Sequence, residues 1–249
     1  MMYKNEGSFF SKKLNREMFF REYGNSGKPL IVFPSSGGSF YEYEDFGMIE
    51  ALRPFIDKGQ MRVYTPDSID QESWMNDMIH PFEKAAKHNL YDLYICEELC
   101  QVIKEETGWK GKFATTGCSL GAYHALNFFL RHPDIFDTVV ALSGIYDIRY
   151  FTGEEMNFDI YINSPIDYLK NLDNPWYLDQ FRESQIVLCS GQGAWEEDTI
   201  KDTKIMAEIF RDKNIPAWID FWGHDVNHDW DWWRIQVAYF FNKIFNCNI

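Results

Sequence analysis

The chain has 249 residues, 45% of them hydrophobic and 18% aromatic, and a formal net charge of −14. That apolar content suffices for a packed core and excludes a disordered polymer, while the acidic balance excludes a non-specific grip on nucleic acid, whose phosphates it would repel. No apolar run approaches the ~20 residues needed to cross a bilayer, and the opening MMYKNEGSFFSKKLNREMFF scatters charge where a signal peptide would place an apolar block.

In chain order, EMFFREYG (17–24) alternates well enough for an antiparallel edge strand, and KPLIVFP (28–34) is a short apolar run ending in turn residues, as in a buried strand. A helical pattern over 45–57 leads to a strand at 61–66, and a long helix over 82–107 leads to another at 113–117. Then follow a helix at 120–131, strands at 138–144 and 185–191, a helix at 199–213, a strand at 216–223 and a last helix at 230–245. Strands spaced by helices predict βαβ crossovers and one α/β domain over 1–249, a mostly parallel sheet covered on both faces. The tyrosine-, aspartate- and asparagine-rich stretch 145–182 keeps no period and reads as a small insertion over the carboxyl edge of the sheet, after the fourth or a later strand. The tryptophan-rich last helix reads as core.

Cys96, Cys100, Cys118, Cys189 and Cys247 are odd in number and widely spread, which argues for reduced thiols and a cytoplasmic address. Cys96 and Cys100 read as one buried helix face.

The chemistry starts at Gly117-Cys118-Ser119-Leu120-Gly121. A G-x-S-x-G pattern arises by accident in a chain this long with a probability of roughly 0.08, so its context has to decide. Here a strand precedes it and a helix follows, stopped by Pro133, the setting in which a strained turn lifts a serine hydroxyl above a sheet. The Leu120 N–H, in the first turn of that helix, would face a developing oxyanion.

A serine needs a base, and with this turn the chain order is serine, acid, histidine. His80, His88, His124 and His132 come too early or lie in helices, and read as surface or satisfied side chains. His224 and His228 follow the last strand, and His228, just before the last helix, is the better placed base. After the strand at 185–191 the candidates for the acid are Glu196, then Glu197, with Asp147 further off; Asp198 and its neighbours also suit a helix N-terminus. A second oxyanion donor is expected in FPSSGGSF (33–40), from Ser36 or Gly37.

Two competing readings use the same residues. His224, Asp225, His228 and Asp229 form a possible ligand set for a metal-dependent hydrolase, although Gly223 opens the segment as a loop and the glutamate of H-E-x-x-H is missing. A non-catalytic binding protein on such a scaffold is the other.

Taken together, GCSLGAYHA, GQGAWEE and NHDWDWW resemble the putative-esterase branch of the α/β-hydrolase superfamily, which includes feruloyl esterases, enterobactin esterases, S-formylglutathione hydrolases and mycolyltransferases. The chain is also similar to short cytosolic bacterial sequences described as esterases. The resemblance implies an α/β-hydrolase fold and serine acyl transfer from a small-molecule ester, usually to water, with no metal or organic cofactor and no membrane partner. It favours His228, after which an aromatic follows closely, and places an oxyanion N–H near Ser36. Many relatives carry a histidine–glycine pair where this chain has Pro34 and Ser35.

Overall fold

A computed structural model describes residues 2–247. They form one eight-stranded sheet in the order β1-β2-β4-β3-β5-β6-β7-β8. The strands are β1 (Lys4–Ser11), β2 (Arg16–Tyr23), β3 (Lys28–Phe33), β4 (Met61–Pro66), β5 (Phe113–Cys118), β6 (Phe136–Leu142), β7 (Gln185–Ser190) and β8 (Trp218–Phe221). From β4 to β8 every pairing is parallel, and the antiparallel β2 joins β4. β3 is buried at all but its first residue, which is why it reads as an apolar run. β5, FATTGC, is buried along its whole length, its threonine hydroxyls donating to the Ala125 and Val140 carbonyls.

The expected edge strand at 17–24 is β2, but it is not the edge. β1 forms a hairpin outside it. Most of KNEGSFFS faces solvent, so its polar composition hides the strand from periodicity. The helix expected at 45–57 is two pieces, Glu42–Asp45 and Met48–Asp57, broken at Gly47 with φ 77°. The long helix runs through Pro81–Leu93, a wider π turn at Tyr94–Leu99, and Cys100–Thr107. The helix expected at 199–213 begins at Glu197, and β8 is shorter than the expected 216–223.

The direction of the crossovers places the site. From β3 the chain steps outward through Met48–Asp57 to β4, then returns over the opposite face through the long helix to β5. The two apolar layers reflect this. Ile95, Leu99, Leu126, Phe128 and Phe210 pack on one face of the sheet. Leu52, Phe55, Trp233, Val237 and Phe240 pack on the other, so the last helix is indeed core. The reversal leaves a crevice between the carboxyl ends of β3 and β5, the place where open α/β sheets bind ligands.

The 145–182 stretch carries short helices at Arg149–Thr152, Phe158–Tyr161, Pro165–Lys170 and Pro175–Arg182. Asn163 anchors it to the helix after β5: its carbonyl accepts from Tyr123 Oη and its Oδ1 from Asn127 and Arg131. Among the described residues no helix is long and apolar enough to cross a membrane.

Candidate active site

Ser119 follows β5 with φ 57° and ψ −121°, a conformation that costs a side-chain-bearing residue energy. Two glycines make the turn possible. A Cβ at Gly117 would lie 2.3 Å from the Gly121 carbonyl carbon, and one at Gly121 would lie 2.4 Å from the Phe33 carbonyl oxygen. The helix Leu120–Arg131 therefore presses directly on the end of β3, and Ser119 stands half-buried at the end of a fully buried strand. Its hydroxyl does not cap the helix it precedes. The N–H groups of Ala122 and Tyr123 return to the Ser119 carbonyl, while that of Leu120 lies at the helix start, where no acceptor exists within the helix.

Glu196 and His228 come together across the loops after β7 and β8. The two loops are laced by backbone: Gly193 N–H donates to the Val226 carbonyl at 2.8 Å, and His228 N–H to the Ala194 carbonyl at 3.0 Å. Ala194 N–H donates to Asn227 Oδ1 at 2.8 Å. Nδ1 of His228 lies 3.5 Å from Glu196 Oε2, and the histidine side chain is 19% exposed while the glutamate is fully buried. That nitrogen makes no hydrogen bond that meets normal geometry, so the two groups face each other at close range without a tight bond.

The carboxylate has a dedicated shell. Ser143 Oγ donates to Oε1 at 2.6 Å, Ser190 Oγ to Oε2 at 3.2 Å, and Thr199 Oγ1 also reaches Oε2. Burial pushes the Glu196 carboxyl up, but attraction to His228 and the hydroxyl bonds outweigh it and hold it below the ordinary range, so it is ionised. Trp233 Nε1 donates to Ser143 Oγ at 3.1 Å, and its ring meets His228 edge-on with centroids 4.8 Å apart. Ser143, Ser190, Thr199 and Trp233 were not among the residues expected from sequence. The available signal was a repeated Ser-Gly at the ends of β6 and β7.

The other candidates separate cleanly. Glu197 and Asp198 are exposed in the first turn of Glu197–Asp212, the dipole position. Asp147, inside the insertion, pairs with Arg149, and its N–H donates to Asp202 on the helix Glu197–Asp212. His224 is exposed in a turn, and the stretch between β8 and the last helix is loop. Among the described residues the group at metal-ligand spacing is Asp92, Cys96 and His132, not the His224–Asp229 cluster. There His132 and Arg131 already bond Asp92. Cys96, Cys100, Cys118 and Cys189 are free and buried.

Of the early histidines, His80 caps the long helix, and His124 and His132 bond Asp70 and Asp92. His88 departs from expectation: it is fully buried, and neither ring nitrogen has a partner among the described residues.

Ser36 and Gly37 lie exposed in the turn after β3, and Gly37 lines a polar cavity of about 330 Å³ with Arg16, Asp67 and Gln71. A larger cavity of about 450 Å³ opens between Gln185 and Trp218, at the opposite, amino-terminal edge of the sheet.

A sequence profile described as "Putative esterase" matches residues 11–241. No curated protein matches the chain in sequence. Similar solved structures include a ferulic acid esterase (TM-score 0.75, 17% identity, 96% of each chain covered). They also include an S-formylglutathione hydrolase from Agrobacterium tumefaciens (TM-score 0.76, 12% identity, 97% of this chain and 94% of that one). A third is the fluorophosphonate-binding serine hydrolase F of Staphylococcus aureus (TM-score 0.69, 17% identity, 98% and 99% covered). At these identities the likeness speaks for an α/β-hydrolase fold, and the profile, spanning most of the chain, speaks for the family. The chain belongs to the putative esterase family, and ester hydrolysis is the chemistry its site has to account for.

Proposed function

We propose that the chain is a serine esterase acting through an acyl-enzyme, with Ser119 as nucleophile, His228 as base and Glu196 as the acid that orients it. The observation that carries this reading is a fully buried Glu196, bonded by serine hydroxyls, facing a partly exposed His228 on the sheet edge that also carries the strained Ser119. His228 Nε2, the nitrogen turned away from Glu196, takes the proton as Ser119 Oγ attacks the ester carbonyl. The tetrahedral oxyanion accepts from the N–H of Leu120 and that of Ser36 or Gly37, each donor contributing on the order of 3 kcal/mol. His228 then protonates the departing alcohol, and water, activated by the same imidazole, releases the acid and restores Ser119.

Glu196 keeps the proton of the free imidazole on Nδ1 and stabilises the imidazolium, so it has to stay ionised, and its hydroxyl shell serves that end. The substrate is a small-molecule ester with water as acceptor, and the free thiols fit a cytoplasmic address.

The test is hydrolysis of p-nitrophenyl acetate by wild type and Ser119→Ala, each with and without EDTA. The reading expects turnover that survives chelation and is lost in the variant. Turnover lost on chelation, or kept in Ser119→Ala, overturns it.

A further inference from the structure

The turn after β3 is built around a buried carboxylate. Glu42 opens the short helix Glu42–Asp45 and is 8% exposed. One residue engages both of its oxygens: Ser35 N–H donates to Oε2 at 2.7 Å, and Ser35 Oγ–H to Oε1 at 2.7 Å. Gly38 N–H returns to the Ser35 carbonyl at 2.9 Å and closes the turn. A Cβ at Gly38 would lie 2.2 Å from Glu42 Oε1, so the carboxylate fills the volume a side chain would need. The two amides left over, those of Ser36 and Gly37, have no backbone acceptor among the described residues.

This carboxylate is held at a cost. Burial pushes its pKa above the ordinary range, and the two bonds from Ser35 offset that only in part. A surface turn can close without such a group, so its presence calls for a further role. The next residue supplies the connection: Tyr43 Oη lies 3.4 Å from Sγ of Cys118, the residue before Ser119. Neighbouring side chains of one short helix therefore grip the glycine turn and the nucleophile's strand.

We propose that Glu42 is a positioning residue of the active site, holding the amide and hydroxyl of Ser35 so that the 35–38 turn aims the Ser36 or Gly37 N–H at the oxyanion formed on Ser119. This rests on the serine-esterase reading above.

The test measures kcat and KM for p-nitrophenyl acetate, with thermal unfolding, in Glu42→Ala, Glu42→Gln, Ser35→Ala and the double variant Glu42→Ala/Ser35→Ala, with Ser119→Ala alongside. In Glu42→Ala, kcat should fall on the order of 10²-fold, the effect of a misaimed donor, while KM changes less than about threefold. Glu42→Gln should recover to within about fivefold of wild type, because its amide oxygen accepts from Ser35 N–H and its amide nitrogen donates to Ser35 Oγ. Ser35→Ala should lose about threefold to tenfold in kcat, and the double variant should be no worse than Glu42→Ala alone, since both act through one contact.

Wild-type kcat in Glu42→Ala overturns the proposal. So does a Glu42→Gln variant as slow as Glu42→Ala with the same loss of thermal stability, the behaviour of a group that only supports the fold. Should Glu42→Ala not fold, Ser35→Ala decides, and wild-type kcat in it overturns the proposal. Activity retained in Ser119→Ala removes the reading on which the proposal rests, and is distinct from every outcome at Glu42.

Discussion

The histidine–carboxylate pairs His124–Asp70 and His228–Glu196 differ in length and in access to solvent. The first has the better bond, 2.9 Å between Nε2 and Oδ1, with both side chains 1% exposed. The second is longer, 3.5 Å, with a histidine that solvent reaches. His124 lies within the helix that follows Ser119, walled by Phe33, Tyr91, Tyr123 and His88, whereas His228 sits on a loop at the carboxyl edge of the sheet. A tight hydrogen bond thus marks a structural pair here, and the catalytic candidate is recognised by its place on the carboxyl edge of the sheet and by the hydroxyl shell around its acid. Apo sites often hold such bonds long until substrate arrives.

The comparison is most sharply tested at the residues that should matter most. Ser119→Ala should lower ester turnover by about 10⁴-fold or more with thermal stability near wild type. Glu196→Gln keeps the shape of the acid but removes the charge, and kcat should fall by roughly 10² to 10⁴-fold. Asp70→Ala should do the reverse. It should cost about 3 kcal/mol of stability, by leaving His124 unpartnered in the interior, and lower the kcat of the folded protein less than about tenfold. Equal kinetic losses in Glu196→Gln and Asp70→Ala would erase the distinction drawn here.

His88 makes a smaller prediction, with a definite sign. Burial above all, with the nearby Arg131 charge, holds its pKa well below the ordinary 6.5. The unfolded chain therefore takes up a proton that the folded chain refuses. Its share of stability is complete above about pH 6.5 and is lost progressively as pH falls towards the lowered value. His88→Phe should remove that part of the slope, so the melting temperatures of variant and wild type, followed from pH 7.5 to 5, should diverge in the variant's favour on acidification. Parallel curves would show that a partner satisfies His88 in solution. Glu197→Gln, at an exposed helix start, should change kcat by no more than about twofold.

The sequence made the sheet and the elbow legible because both depend on local pattern: β4 is where MRVYTP predicts it, and Ser119 follows a strand and starts a helix. The Glu196–His228 pair was also within reach, since each lies on the loop after a late strand. β1 was not, because its residues answer to one neighbouring strand and to solvent. Nor were the groups that support the site. Ser143 is 53 residues from Glu196 along the chain, and nothing in the pattern around either announces the bond between them. Glu42 is one acid in an acidic, aromatic stretch, and the role proposed for it depends on a fold that turns it inward towards Ser35.

The central claim is that the Glu196–His228 pair, and no other, activates Ser119. The most direct measurement is the rate and position of fluorophosphonate modification, followed by intact mass and peptide mapping in wild type and in Glu196→Gln. The account predicts one adduct, on the peptide carrying Ser119, forming at least about 10²-fold more slowly in the variant. An adduct on another residue, or labelling at an unchanged rate in Glu196→Gln, would contradict it.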